Sequence, residues 1–147
     1  MATDCIFCKI ISGDIAAERI YEDDYFLAFL DVNPVVEGHI LLIPKKHCET
    51  IYDLGEGEVE KIGEAIQTVS NKLKSIFGPN INIVNTSGKY ASQSILHFHF
   101  HLIPRRSGDR LWDGEKSRII LDRSSGFERI KPTKEQLKKL AEEIKSN

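Results

Sequence analysis

The sequence predicts an α+β fold, an antiparallel sheet of about five strands carrying one long helix and a C-terminal helix. Short apolar runs bounded by turn residues follow one another through the first hundred positions, a strand-rich pattern. Glu58 to Phe77 is the one long stretch with helical periodicity, and Lys134 to Ile144 repeats that periodicity near the end. With 147 residues, 41% of them apolar and 29% charged, the chain is a single ordinary domain, 1–147. A chain of this size buries roughly 70% of its unfolded surface and needs no staples.

Taken in order, Asp4 to Ile11 holds Cys5, Ile6, Phe7, Cys8, Ile10 and Ile11, a short helical turn or knuckle closed by Ser12-Gly13-Asp14. Arg19–Glu22 and Tyr25–Leu30 read as strands joined at Asp23-Asp24. Asp31-Val32-Asn33-Pro34 is a turn, and His39–Ile43 is a third strand stopped by Pro44. In the long helix Val59, Ile62, Ile66, Val69, Leu73 and Ile76 recur at steps of three and four and form one stripe. Gly78-Pro79 ends it, and Asn80–Val84 is the next strand. A polar loop from Asn85 to Ser92 leads to a strand over Ile95–Ile103, ended by Pro104. Residues 107–126 are irregular by pattern. Thr133 then caps a last helix whose stripe is Leu137, Leu140, Ala141 and Ile144.

Composition excludes several functions. A net charge of −2 does not suit a protein that grips nucleic acid by bulk charge. No apolar run approaches the roughly 20 residues of a membrane span. The Met1–Asp4 start lacks the layout of a secretory leader, so the cytoplasm is the expected location. Three cysteines, an odd number, argue against a disulfide framework.

What stands out is His97-Phe98-His99-Phe100-His101, three of the five histidines in five positions. On a strand these three share one face about 6.7 Å apart, with Phe98, Phe100 and Leu102 turned to the core. Three chemistries fit such a row: a polar strand face, a metal held by all three rings, or nucleophilic catalysis by a neutral imidazole whose neighbours manage protons. An ordinary histidine pKa near 6.5 leaves the ring mostly neutral at pH 7, the form a nucleophile needs.

The run His97–Ile103 resembles the histidine triad family, closest to its branch of histidine triad nucleotide-binding proteins. Tyr21-Glu22-Asp23-Asp24, Ala28 to Pro34, Gly38-His39 and Ile43-Pro44-Lys45-Lys46-His47 resemble that family in order and spacing. The similarity covers about residues 5–105, and the extension of about 106–147 carries no motif. The resemblance implies a hydrolase or nucleotidyl transferase that attacks the α-phosphate of purine nucleoside 5′-phosphoramidates or similar nucleotides. It makes His99 the nucleophile of a nucleotidyl-histidine intermediate and His101 a hydrogen-bonding partner of the phosphate or departing atom. Ser94 is the hydroxyl that helps the leaving group. Backbone N–H groups at Ala91 to Ser94 can cradle the phosphate. Two alternatives remain open: hydrolysis or phosphorolysis of diadenosine polyphosphates, and a non-catalytic nucleotide-binding regulatory module.

Two positions depart from the family pattern. Ser92 stands where a Gly usually precedes Gln93, and the expected Asn falls on Thr86, with Asn85 beside it and taken for the role. Asp31 alone reads as a turn-initiating residue. The resemblance makes it the acceptor for the ribose hydroxyls, with Ile6, Phe7, Ile10, Phe29 and Val32 around the base and Asn85 and Gln93 also in the nucleotide site.

Cys5 and Cys8 form a C-x₂-C that by itself fits zinc, redox chemistry or accident. Zinc needs two more ligands, available among His39, His47 and His97. The zinc-containing members that the chain resembles imply Cys5, Cys8, His47 and His97 as a closed structural site, one zinc per chain. His39 is left as a strand-start residue and Cys48 as a spare thiol. The resemblance also implies a homodimer built on the long helix and an edge strand, with Trp112 and the stretch Arg118–Ile130 reaching into the partner's site.

Overall fold

The computed structural model describes residues 4–147; residues 1–3, part of the stretch read above for a leader, lie outside it. Five antiparallel strands form one sheet, in the spatial order Arg19–Glu22, Phe26–Leu30, Ile40–Pro44, Phe100–Pro104, Ile81–Asn85. Helix α1 spans Ile6–Ser12, followed by β1 (Arg19–Glu22), β2 (Phe26–Leu30) and β3 (Ile40–Pro44). Helix α2 (Glu56–Phe77) precedes β4 (Ile81–Asn85) and β5 (Phe100–Pro104), and α3 (Lys134–Lys145) closes the chain. The α+β architecture is the one the sequence predicts. Among the described residues no helix is long and apolar enough to cross a membrane.

The strands β2 and β3 are buried on both faces, which explains their nearly unbroken apolar runs. Phe26, Ala28, Leu30, Ile40, Leu42 and Leu102 point to the side covered by α2 and α3, where Ala65, Val69, Leu73, Leu137, Ala141 and Ile144 meet them. Leu27, Phe29, Leu41 and Ile43 point the other way, onto Phe7 and Ile10 of α1. His101 pairs with Leu41 across the β3–β5 ladder and so lies on the α1 face. The helix stripe is shifted from the expectation: Val59 is 58% exposed, and Ala65 takes the fully buried place.

The second correction concerns the histidine strand. Pairing begins at Phe100 and not at Ile95, so His97 and His99 precede β5. The β3–β5 register runs Ile40↔Leu102 to Leu42↔Phe100, and two more steps would set residue 98 against Pro44. Proline has no N–H to give to a ladder. Phe98 instead donates its N–H to the Cys48 carbonyl at 2.7 Å, which turns the chain off the sheet.

Gly38 illustrates how backbone freedom positions a functional side chain. Its φ of +89° suits glycine, and a Cβ there would lie 2.5 Å from the Phe77 ring. His39 follows immediately. The segment after β5 is irregular but packed. Buried Arg105 binds both carboxylate oxygens of Asp109 (2.8 and 3.0 Å), Asn82 (2.8 Å) and the Arg118 carbonyl (3.1 Å). Ile120, Leu121 and Phe127 pack on a small core of Val35, Val36, Ile103 and Leu111.

Candidate active site

The three triad histidines, together with His39, are buried. Hydrogen bonds assign which nitrogen of each ring carries its proton. His99 Nδ1 lies 2.7 Å from the His97 carbonyl, which only accepts, so Nδ1 carries the proton and Nε2 keeps its lone pair. Val35 N–H donates to His39 Nδ1 at 3.2 Å, leaving the His39 proton on Nε2. That proton is donated to His101 Nδ1 at 2.9 Å, so His101 carries its own on Nε2. The His99 and His101 rings stand edge to face with centroids 4.9 Å apart, and Phe7 packs edge-on against His99 at 5.2 Å.

Charge states follow from burial. Desolvation lowers the His99 pKa below its ordinary 6.5, with the Asp31 charge opposing. Burial, reinforced by the charges of Arg129 and Arg123, takes His39 down to about 3. Burial also takes His101 down to about 2, with His39, His99 and the two arginines adding to it. All three rings are therefore neutral near pH 7. Asp31 is pushed up by burial, against the Asn33 N–H it accepts at 2.8 Å and the Arg129 charge.

The residues read from the sequence distribute as follows. Phe7, Asp31, Ser94, His99 and His101 line one pocket, together with Thr86, Ser92, Leu121, Arg123 and Arg129. Ile10 and Phe29 lie buried beneath it, whereas Ile6 and Val32 are 45% and 57% exposed. Asn85 turns away from the pocket and donates its side-chain N–H to the His99 carbonyl at 2.9 Å. Gln93 staples the preceding loop: its side chain accepts from Gly88 N–H (2.7 Å) and donates to the carbonyls of Glu49 (2.6 Å) and Ile95 (3.1 Å). Ser92 has φ +68°, the one positive φ outside glycine among the described residues, which accounts for glycine as the usual residue there.

Sequence reasoning missed His39, Arg123 and Arg129. A sheet register would have found His39, since it sits diagonally across from His101, two residues from the Leu41 that pairs with it. Nothing local marks the arginines. Within this chain Leu121, Arg123 and Arg129 line the histidine pocket, while Trp112 lines a separate cavity with Asn80 and Asn82.

Cys5, Cys8, His47 and His97 converge beside this pocket, their ligand atoms within 4.8 Å of one another. The Sγ–Nδ1 separations are 3.3, 3.4 and 3.6 Å, and the two Nδ1 atoms are 3.1 Å apart. A tetrahedron with Zn–S of about 2.3 Å and Zn–N of about 2.05 Å requires S–N and N–N edges of about 3.6 and 3.3 Å. The donor set fits. His97 Nε2 donates to the Pro44 carbonyl at 2.8 Å, which leaves Nδ1 as the ligand atom.

The HIT domain model matches residues 12–108. "Adenosine 5'-monophosphoramidase HNT1" of Saccharomyces cerevisiae is 38% identical over 117 residues, 80% of this chain and 68% of that protein. "Adenylylsulfatase HINT3" of Arabidopsis thaliana is 38% identical over 119 residues, covering 80% and 60%. A Zn-bound histidine triad family protein from Mycobacterium smegmatis superposes with a TM-score of 0.76 at 30% identity, covering 97% of this chain and 91% of its own. With that match across two thirds of its length and the triad in place at His97, His99 and His101, the chain belongs to the HIT domain family.

Proposed function

We propose that this protein is a nucleotide hydrolase that attacks the α-phosphate of purine nucleoside 5′-phosphoramidates and related nucleotides through a nucleotidyl-His99 intermediate. The observation that carries the reading is the bare Nε2 lone pair of His99, fixed by the Nδ1–H bond to the His97 carbonyl and neighboured by His101. His99 Nε2 forms a bond to phosphorus as the P–N bond breaks. The amine leaves with a proton passed by Ser94, and the positive ring keeps Nδ1–H on the His97 carbonyl. Water then adds to phosphorus and returns its proton to Ser94, the P–Nε2 bond breaks, the nucleoside monophosphate departs and His99 is neutral again. The proton on His101 Nε2 serves a phosphate oxygen, a role that such a low pKa suits because the ring donates without ionising.

In this reading Asp31 accepts the ribose hydroxyls, and Ile6, Phe7, Ile10, Phe29 and Val32 form the base slot. Asn85 and Gln93 hold the nucleophile's carbonyl and the phosphate loop in place. Cys5, Cys8, His47 and His97 would hold a zinc ion through all four of its positions, a structural role that would tie α1 to the segment before β5. Two cysteines in a metal-ligand arrangement suit a reducing compartment, the cytoplasm. A homodimer would use the exposed Val59 of α2 and Ile83 of edge strand β4, which are 58% and 41% exposed.

The test is turnover of adenosine 5′-phosphoramidate by the His99→Ala variant. Loss of turnover with AMP still bound supports the mechanism. Hydrolysis near the wild-type rate overturns it.

A further inference from the structure

Within residues 12–108 the pocket around His99 has one Asp, Glu, Lys or Arg in its wall, the acid Asp31. That sign is wrong for a phosphate. Two cations from outside the family-matched stretch, Arg123 and Arg129, reverse it. Arg129 is committed: its guanidinium lies 3.4 Å from Asp31 and donates to the carbonyls of Asn33 (3.1 Å) and Leu121 (3.0 Å). Arg123 makes no hydrogen bond or ion pair among the described residues, although it lines the same pocket.

A second cavity of about 230 Å³ adjoins the pocket and shares both arginines with it. Its walls are Asn33, Arg123, Phe127, Arg129 and Lys131, three cations and no acid. Because Arg123 and Arg129 line both spaces, this cleft lies next to the histidine pocket and not on a separate face. Guanidinium groups bind phosphate and sulfate oxygens through paired, charge-assisted N–H donors.

We propose that Arg123, with Arg129 and Lys131, forms a leaving-group subsite, and that this chain prefers nucleotides whose leaving group carries oxyanions, a phosphate chain or a sulfate, over those that release an amine. The inference rests on the hydrolase reading above. When the α-phosphorus–oxygen bond breaks, the leaving oxygen keeps the electron pair. The arginines hold that charge, and no proton is needed for departure.

The experiment compares adenosine 5′-phosphoramidate, adenosine 5′-phosphosulfate and diadenosine tetraphosphate on the zinc-loaded full chain, as wild type and as Arg123→Ala, Arg123→Lys and Lys131→Ala. Melting curves confirm folding of each variant. Arg123→Ala should lower kcat/KM for the two oxyanion substrates relative to the phosphoramidate by about 10–100-fold. Arg123→Lys should recover part of that ratio. A loss in Lys131→Ala confined to the tetraphosphate identifies a phosphate chain as the occupant, and an equal loss on the phosphosulfate identifies the smaller oxyanion. An unchanged substrate ratio in Arg123→Ala overturns the subsite. So does a wild type that cleaves only the phosphoramidate. A wild type that cleaves none of the three overturns the hydrolase reading as well.

Discussion

Replacing His39 by Leu removes two hydrogen bonds from a place water does not reach. His39 and Val35 are both fully buried, so the Val35 N–H loses its acceptor and His101 Nδ1 loses its donor. Each orphaned group costs about 1–3 kcal/mol, partly offset by the apolar side chain, for a net loss of about 3 kcal/mol. At this chain length each kcal/mol moves Tm by about 2–4 °C, so the variant should melt about 6–12 °C lower. The catalytic effect is separate: without its partner His101 can shift its proton to Nδ1, and the donor facing the phosphate is lost. That should lower kcat by about 10–100-fold. His39→Gln separates the two effects, since its amide N–H can still donate to His101 while the Val35 N–H goes unmatched. It should lose stability yet keep kcat within about threefold. Urea or thermal unfolding and saturating kcat on adenosine 5′-phosphoramidate give both readouts. A Leu variant with kcat within about twofold of wild type refutes the assignment of the His101 proton by His39.

Three further outcomes follow from the geometry. The arginine-bound, buried carboxyl of Asp109 is held at about 2 against an ordinary 3.8, a gap worth about 2 kcal/mol that stabilises the fold above about pH 4. This contribution is lost as pH falls through 2, and Asp109→Asn should flatten that part of the stability curve; an unchanged acid limb would contradict it. Ser92→Gly relieves a positive φ and should raise stability by up to about 1 kcal/mol in denaturant unfolding. Gly38→Ala combines a positive φ with a clash on Phe77 and should cost about 2–4 kcal/mol, with kcat falling as His39 shifts; a neutral melting curve would show that Phe77 yields.

How much of this was legible follows the range of the signals. Strand and helix identity came from local periodicity, and α2, β2 and β3 appear where the pattern puts them. The start of β5 did not, because alternation at His97–Ile103 satisfies a strand, while the partner that stops pairing, Pro44, is more than fifty positions upstream. The four candidate metal ligands were reached by resemblance, and their convergence is a tertiary fact that spacing alone left open. Arg123 and Arg129 were invisible for a stronger reason. They sit in an irregular segment with no repeat, and Arg129 is held by the backbone carbonyls of Asn33 and Leu121, which any residue can supply.

In the proposed reading, His97 couples the candidate metal site to the nucleophile. Its Nδ1 points to the thiols, its Nε2–H is held by Pro44, and its carbonyl fixes the His99 proton. If zinc occupies this site, its removal should act on the proposed catalysis through position. Four converging donors without a metal relax apart, α1 loosens, and the carbonyl that keeps His99 Nε2 bare drifts. Chelated protein should melt about 10 °C lower or more, and below its melting point should retain partial turnover that zinc restores in full. Complete and immediate loss at low temperature would instead make the metal a participant in the reaction. Unaltered melting and full activity in metal-free protein would show that the four side chains hold His97 without one.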